Sequence, residues 1–440
     1  MKGETPKQEG HPMTTPINRR EFLGRSAAGG LALGLGAQHI ARAASANETV
    51  TLGVVGLSRG ASVARSFANV EHCTVKTVCD VDRQRVARCA ESLEEQTGTA
   101  PDTETDFRRL LEDPDIDAVA FALPAHWHAP ASILACQAGK HVYVEKPCCH
   151  NPREGELLVA AARRYDRAVQ MGTQRRSWPA IREAMARLHD GVIGRAYYAR
   201  SWYGATRGSI GRGSAATPPD QLDYDLWQGP APRRPYKDNL VHYNWHWHWH
   251  WGTGELGNNG VHAIDLCRWG LEADYPERVV SAGGRYHFDD DQETPDTHTV
   301  SFDFAGGKSI TWDGLSCVRP SGPNPGFGVE FYGENGSLRI DGGGYSIRDK
   351  GGQELESHEG PSSDEVHCSD FLAAIRTGAH RDLQAEIEEG YKSTLLPLLG
   401  NIAHRTGAAL TCGEEGRIVG NPEAEALWQR DYEPGWEPVA

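Results

Sequence analysis

The chain has 440 residues, enough for two full cores. Its formal charge is −15 at pH 7, with a pI of about 5.7, which argues against a nucleic-acid partner. Beyond the N-terminal segment no uninterrupted apolar run is long enough to span a bilayer.

Residues 1–47 read as a targeting segment and linker. Asn18-Arg19-Arg20-Glu21-Phe22-Leu23 is a twin-arginine pattern, a weakly apolar Gly/Ala/Leu stretch follows, and Ala41-Arg42-Ala43 is a small-x-small cleavage site. Such a signal addresses a folded protein to the twin-arginine export machinery, so the expected location is periplasmic or otherwise extracytoplasmic. The ten cysteines show no C-x-x-C spacing, and those in apolar runs read as small core residues rather than a disulfide framework.

Residues 48–174 read as a nucleotide-binding half. Thr49 to Gly56 is a buried strand ending in glycine, and a helical run follows from Ser62 to Asn69. A strand, a tight glycine turn and a helix N-terminus place a pyrophosphate on backbone N–H groups. The glycine fingerprint is degenerate. In register from Gly56, Ser58 and Ala61 take the second and third glycine places, and Gly60 stands beside them. Ser58 and Arg59 offer a hydroxyl and a guanidinium to phosphate instead. The next strand ends at Asp80. A carboxylate there accepts from the adenosine ribose hydroxyls and repels a 2′-phosphate, so NAD is expected over NADP; Arg83 and Arg85 keep NADP within reach. Helices over Arg83–Thr97, Phe107–Leu111 and Ala129–Ala138 alternate with a strand over Asp117–Leu123, the pattern of a doubly wound parallel sheet. Pro124 to His128 forms a strand-end loop, in which His126 and His128 line the nicotinamide ribose or cap the next helix in preference to ligating a metal.

The half closes on His141 to Asn151, HVYVEKPCCHN. His141 to Val144 is a buried strand that ends in Glu145-Lys146-Pro147, and Asn151-Pro152 starts a helix. A lysine at the C-terminal end of such a strand points into the ligand crevice, and burial lowers its pKa. Lys146 is therefore a candidate acid/base group.

Residues 175–440 read as a substrate-binding half. Gly204 to Pro235 is a long Gly/Pro/Arg-rich loop over the surface or the site. In His242 to Trp251 histidine and tryptophan alternate. As an extended chain this run puts His246, His248 and His250 on one face and tryptophans, Trp247 among them, on the other. Ligands spaced that way on one strand diverge, so no metal is expected; an aromatic wall with polar edges suits a sugar. Gly252 to Leu271 is a turn entering a helix. There Asn258 and His262 share a face, Asp265 lies three residues on, and His262 is a base of suitable ordinary pKa. From Arg278 to Ile347 alternating segments predict a largely antiparallel sheet with one exposed face.

These features together resemble the Gfo/Idh/MocA oxidoreductases, the glucose–fructose oxidoreductase and inositol dehydrogenase group. The resemblance rests on the Gly56–Gly60 turn, Asp80, the Pro124–His128 loop, Glu145-Lys146-Pro147 and the segment from Asn258 to Asp265. It implies an α/β fold: an N-terminal Rossmann domain and a C-terminal α/β domain with a large open sheet, often in dimers or tetramers packed through that sheet. It implies a cofactor site over Gly56, Ser58, Arg59, Gly60, Asp80, Pro124, His128, Glu145 and Lys146. Lys146 stands in the site, before a cis-proline at Pro147, and His262 is the acid/base. The family's usual Asp four residues before that histidine is Asn258 here; an amide orients a hydroxyl but cannot take its proton.

The expected activity is hydride transfer between NAD and a ring carbon of a sugar or cyclitol. Lys146 polarises the oxygen, His262 moves the proton, Asn258 and Arg175 orient the substrate, and His246, Trp247 and Asp265 complete its pocket. Two alternatives stand beside it: glycoside cleavage through a transient 3-keto sugar, and a non-catalytic carbohydrate-binding protein.

Overall fold

The computed structural model describes residues 49–321 and 326–440; the twin-arginine segment lies outside them. β1 (Val50–Val55) is buried along nearly its whole length, as a strand covered by helices on both faces must be. There follow α1 (Gly60–Ala68), β2 (Cys73–Cys79), α2 (Arg83–Thr97), β3 (Asp102–Glu104), α3 (Arg108–Glu112), β4 (Ala118–Phe121), α4 (Ala125–Gln137), β5 (His141–Val144), α5 (Pro152–Arg164) and β6 (Val169–Met171). All six strands run parallel, in the order β3-β2-β1-β4-β5-β6. The order reverses between β1 and β4, which opens a crevice beyond the C-terminal ends of the strands. Local chemistry sets the helix starts. Asp82 caps α2 by accepting from the Gln84 and Arg85 amides, and Asn151 caps α5 with Pro152 in its first turn.

Helix α6 (Pro179–His189) leads into the second sheet, formed by β7 (Ala196–Gly204), β8 (Pro276–Gly284), β9 (Thr297–Phe304), β10 (Lys308–Leu315), β11 (Phe327–Gly333), β12 (Gly336–Asp341), β13 (Gly344–Asp349), β14 (Glu354–His358) and β15 (Leu410–Thr411). Short helix α7 (Tyr224–Gln228) and α8 (Val261–Leu271) interrupt it; α9 (Asp364–Thr377), α10 (Ile387–Thr406) and α11 (Pro422–Ala426) come late in the chain. Every neighbouring pair of strands is antiparallel except β7 and β10. Val300, Phe302, Ile310 and Trp312 are buried on one face against α8 and α10, while Thr299, Ser301 and Asp303 alternate onto the other. No helix among the described residues is long and apolar enough to cross a membrane.

Two local expectations are corrected and a third is made specific. Ala125 to His128 are the first turn of α4 rather than a loop, with Pro124 at its cap. The run His242 to Trp251 is not extended. Asn244–Trp247 is a 3₁₀ turn, the Trp245 amide bonds the Leu240 carbonyl, and the Trp251 amide bonds that of His248. The backbone satisfies itself locally, so the rings are not sorted onto two faces. The entry to α8 is a π-helical turn, Leu256–Gly260, a widening often found at functional sites.

Asp265 does not face a ligand crevice. Its carboxylate lies 2.9 Å from Arg176 Nε through each oxygen and accepts from Ser393 Oγ at 2.6 Å, all three residues being buried. The stronger claim on this charge is the buried guanidinium, which ties α8 and α10 to the turn after β6. Asp265→Ala strands that guanidinium, and urea unfolding should show a loss of about 3–5 kcal/mol. A loss within about 0.5 kcal/mol, the scale of an ordinary surface substitution, would contradict this role.

Candidate active site

Lys146 enters the crevice from the end of β5, beside buried Glu145 and before a cis peptide bond to Pro147. Its ammonium donates to Asn258 twice, to the main-chain oxygen at 2.8 Å and to Oδ1 at 3.0 Å. Residues from the two halves of the chain thus meet in one contact. Burial lowers the Lys146 pKa, and Glu145 and Glu255 oppose that effect.

One helical turn beyond Asn258, His262 is held well below its ordinary pKa, by burial first and then by the charges of Lys146, Arg175 and Arg59. Its ring is therefore neutral at physiological pH, and its buried Nδ1 has no hydrogen-bond partner among the described residues. An ammonium and a neutral imidazole on one cavity are a donor and an acceptor for proton transfer with a substrate between them.

Behind these groups are carboxylates, of which the sequence points to Glu145 but to neither Glu255 nor Asp364. Glu255 is buried and accepts from Arg207, Ser316 and Asn259; its place three residues before Asn258 was a legible signal. Glu145 accepts from Arg59 Nε at 3.1 Å and from Gln174 at 3.2 Å, and Arg59 also pairs with Asp364. The Arg59 fork, expected on phosphate, is thus engaged by two carboxylates. Ser58 is exposed at the mouth of the turn.

Lys146, Asn258 and His262 open on a cavity of about 330 Å³ that runs back over the first sheet. Gly56, Ser58, Arg59, Asp80, Pro124, His128 and Glu145 line it as well. A dinucleotide fits this cradle. A side chain at Gly56 (φ +85°) would meet the Ala122 carbonyl at 2.5 Å, and one at Gly60 would crowd Ala122 at 3.3 Å, so the turn is open only because it is bare. Asp80 is buried at the far end, where Oδ2 accepts from the Leu57 amide at 2.6 Å and Oδ1 from the Asp82 amide at 2.9 Å. It therefore holds the glycine turn in place while facing the cavity. His128 donates Nδ1–H to the Pro147 carbonyl at 2.6 Å, which leaves Nε2 as an acceptor on the cavity side.

The long loop after β7 closes this cavity. Asp223 N bonds Val81 O at 2.9 Å, and Arg83 N bonds Gln221 O at 3.1 Å. His242 bonds Asp82 at 2.9 Å, and the Trp227 carbonyl accepts from His126 and from the Trp127 indole. Leu226, Trp227, His242, Trp245 and His246 become walls of the cavity.

The predicted substrate residues divide. His246 lines the cavity, stacked on Trp245 with centroids 3.6 Å apart. Trp247 is buried under the Arg207 guanidinium and does not line it, because the 3₁₀ turn sends its ring into the core. Arg175 lies over Phe327 at 4.1 Å, outside the cavity wall, and burial lowers its pKa to about 10. His246, His248 and His250 diverge, to Tyr243 O, Glu293 and Pro232 O respectively.

The chain thus joins a parallel Rossmann sheet to a mixed, mostly antiparallel sheet, with a lysine and a histidine lining the cavity where they join, an architecture able to hold a nicotinamide dinucleotide. The chain belongs to the Gfo/Idh/MocA oxidoreductase family: residues 50–173 match its NAD-binding Rossmann fold and residues 198–323 its C-terminal alpha/beta domain. It is 30% identical over 213 residues to a glycosyl hydrolase family 109 protein of Saccharopolyspora erythraea, covering 43% of this chain and 46% of that one. It is 25% identical over 219 residues to the levoglucosan dehydrogenase of Pseudarthrobacter phenanthrenivorans, 48% of each. The chain thus spans less than half the length of these two relatives. In fold it is similar to the aldose-aldose oxidoreductase of Caulobacter crescentus, with a TM-score of 0.65, 20% identity, and 82% and 99% of the two chains covered.

Many histidines are buried neutral, and this has a pH consequence. Burial lowers His128 and His250 from 6.5 to about 4, and His141, His246 and His298 to about 3. Between those values and 6.5 the unfolded chain binds protons that the native chain refuses. Their stabilisation is therefore complete above 6.5 and is lost as pH falls through that window. The thermal midpoint should drop steeply below about pH 6.5, with proton uptake on unfolding. A midpoint that stays level across this window would contradict the buried neutral state.

Proposed function

We propose that the chain is an exported, NAD-dependent oxidoreductase acting on a ring carbon of a sugar or cyclitol, with the cofactor held in the closed cavity and recycled there. The observation that carries this reading is the Lys146–Asn258 contact with neutral His262 one turn on. NAD, when bound, supplies the acceptor and donor of hydride. The Lys146 ammonium stabilises negative charge on the substrate oxygen. The neutral His262 ring takes the hydroxyl proton, because the Asn258 oxygen already accepts from Lys146 and an amide has no basic site to offer. Asp80 would hold the adenosine ribose, which favours NAD; Arg85 lines the same cavity and is the group that would favour NADP.

A second reading, redox-assisted glycoside cleavage, is supported by the likeness to the family 109 protein. It uses the same lysine and histidine and needs no pair of catalytic carboxylates. Export and retention belong together. The twin-arginine pattern addresses the chain to a compartment without a soluble nicotinamide pool, and a loop tied over the cavity suits a cofactor loaded before export. The exposed face of the second sheet is the surface for a homodimer or homotetramer.

Lys146→Met should lower turnover on the sugar substrate by about two orders of magnitude or more while NAD still binds; near-normal turnover would remove Lys146 from the mechanism. The mature protein, purified without added cofactor, should carry stoichiometric NAD(H) that survives many turnovers, and apo protein should bind NAD more tightly than NADP. An empty site with activity dependent on free NAD would overturn the recycling.

A further inference from the structure

A second cavity, of about 590 Å³, shares no lining residue with the first. The two are separated by the first turn of α4. Pro124, Trp127 and His128 line the first cavity, and the His126 carbonyl accepts from Arg430, which lines the second. The proposed reaction makes no use of this space.

Its charge is one-sided. Arg233, Arg234, Arg405 and Arg430 line it, against one carboxylate, Asp431, in a chain whose net charge is −15. Arg430 is matched by Glu154, and Arg233 has Asp225 at 3.5 Å. Arg234 and Arg405 have no such match. They lie over the rings of Trp251 and Trp249, at 5.7 and 5.4 Å, and among the described residues neither has a carboxylate within ion-pair distance. The charge of Glu293 acts on both arginines from beyond ion-pair distance, its oxygens being held by the Trp249 amide and His248.

The walls also hold polar atoms that are closed to solvent and lack partners among the described residues. These are both ring nitrogens of His150, Asn401 Oδ1 and Arg430 Nη1. Buried polar atoms are ordinarily satisfied, so a concentration of orphans around a cationic cavity points to a ligand with its own oxygens. The volume suits a body of sugar size rather than a lone ion, and the partly exposed Trp249 gives a ring a flat apolar surface.

We propose that this cavity is a binding site for an anionic sugar, whose carboxylate or phosphate is held by Arg234 and Arg405 and whose hydroxyls meet His150 and Asn401. The site is independent of the Lys146 centre and of whatever that centre turns over.

Calorimetric titration of the NAD-loaded full chain with glucuronate, glucose 6-phosphate, inorganic sulfate and glucose tests it, with Arg234→Gln and Arg405→Gln beside the parent protein. At least one anionic sugar should bind about tenfold or more tighter than glucose and than sulfate, and each substitution should weaken that binding by about tenfold, the scale of one charge-assisted contact. Lys146→Met should leave it unchanged. Glucose or sulfate matching the anionic sugars overturns the proposal, as does unaltered binding in folded Arg405→Gln. Should the substitutions impair folding, hydrogen exchange on the parent protein decides. Ligand-induced protection at 249–253 and 398–405 supports the site; protection only at 258–262 overturns it.

Discussion

The Lys146 ammonium bonded to both oxygens of Asn258 is the contact on which the remaining site geometry depends. Its donor stands at the end of a parallel strand and its acceptor in a π-helical turn of the other half. Holding a cation in so buried a place costs free energy unless its hydrogen bonds are met and opposite charge is near. Both conditions hold: Asn258 satisfies two donors, and Glu145 and Glu255 supply the charge. Burial first, and then the same cation with Arg175 and Arg59, keeps His262 neutral. One arrangement thus sets the protonation states of both groups, with the lysine as donor and the histidine as base.

The carboxylates behind Lys146 are themselves anchored. Glu145 is held by Arg59, which reaches across to Asp364 at the start of α9, while Glu255 is held by Arg207. The Arg176–Asp265–Ser393 cluster pins the second half against the turn after β6. These buried pairs add little net stability over apolar packing, but losing one partner leaves a stranded charge. Their effect is to hold the two sheets in one relation, and the lysine–histidine geometry requires that relation.

The segment 220–251 packs a small apolar cluster of its own, with Leu222, Tyr224, Trp227, Leu240, Trp245 and Trp251 around Ala125 of α4, and is tied to the first half by polar contacts: backbone bonds to Val81 and Arg83, His242 to Asp82, and the Trp227 carbonyl to two side chains of α4. A cover made this way encloses a long ligand without filling the space beneath it. The wall it shares with α4 also separates the two cavities, so one short helical turn is shaped by both.

Much was legible in the residues themselves. Unbroken apolar runs, glycine turns and helix caps read as the parallel sheet because each is a local event: a strand covered on both faces, a turn that needs φ > 0, an N-cap oxygen. Gly56, Asp80, Lys146, Asn258 and His262 could be placed because strand ends and i, i+4 spacing fix where side chains point. His242 to Trp251 misled because alternation of residue type predicts faces only if the backbone is extended, and its amides closed on nearby carbonyls instead. Asp265 misled because a charge goes to its nearest buried partner, and Arg176 and Ser393 are distant in sequence. The second cavity was decided by tertiary structure, since it depends on which groups from separate elements share one dry space. Sequence by itself therefore determined the elements and the residues able to do chemistry; packing decided which charges pair, which are left free, and so which residues face a ligand.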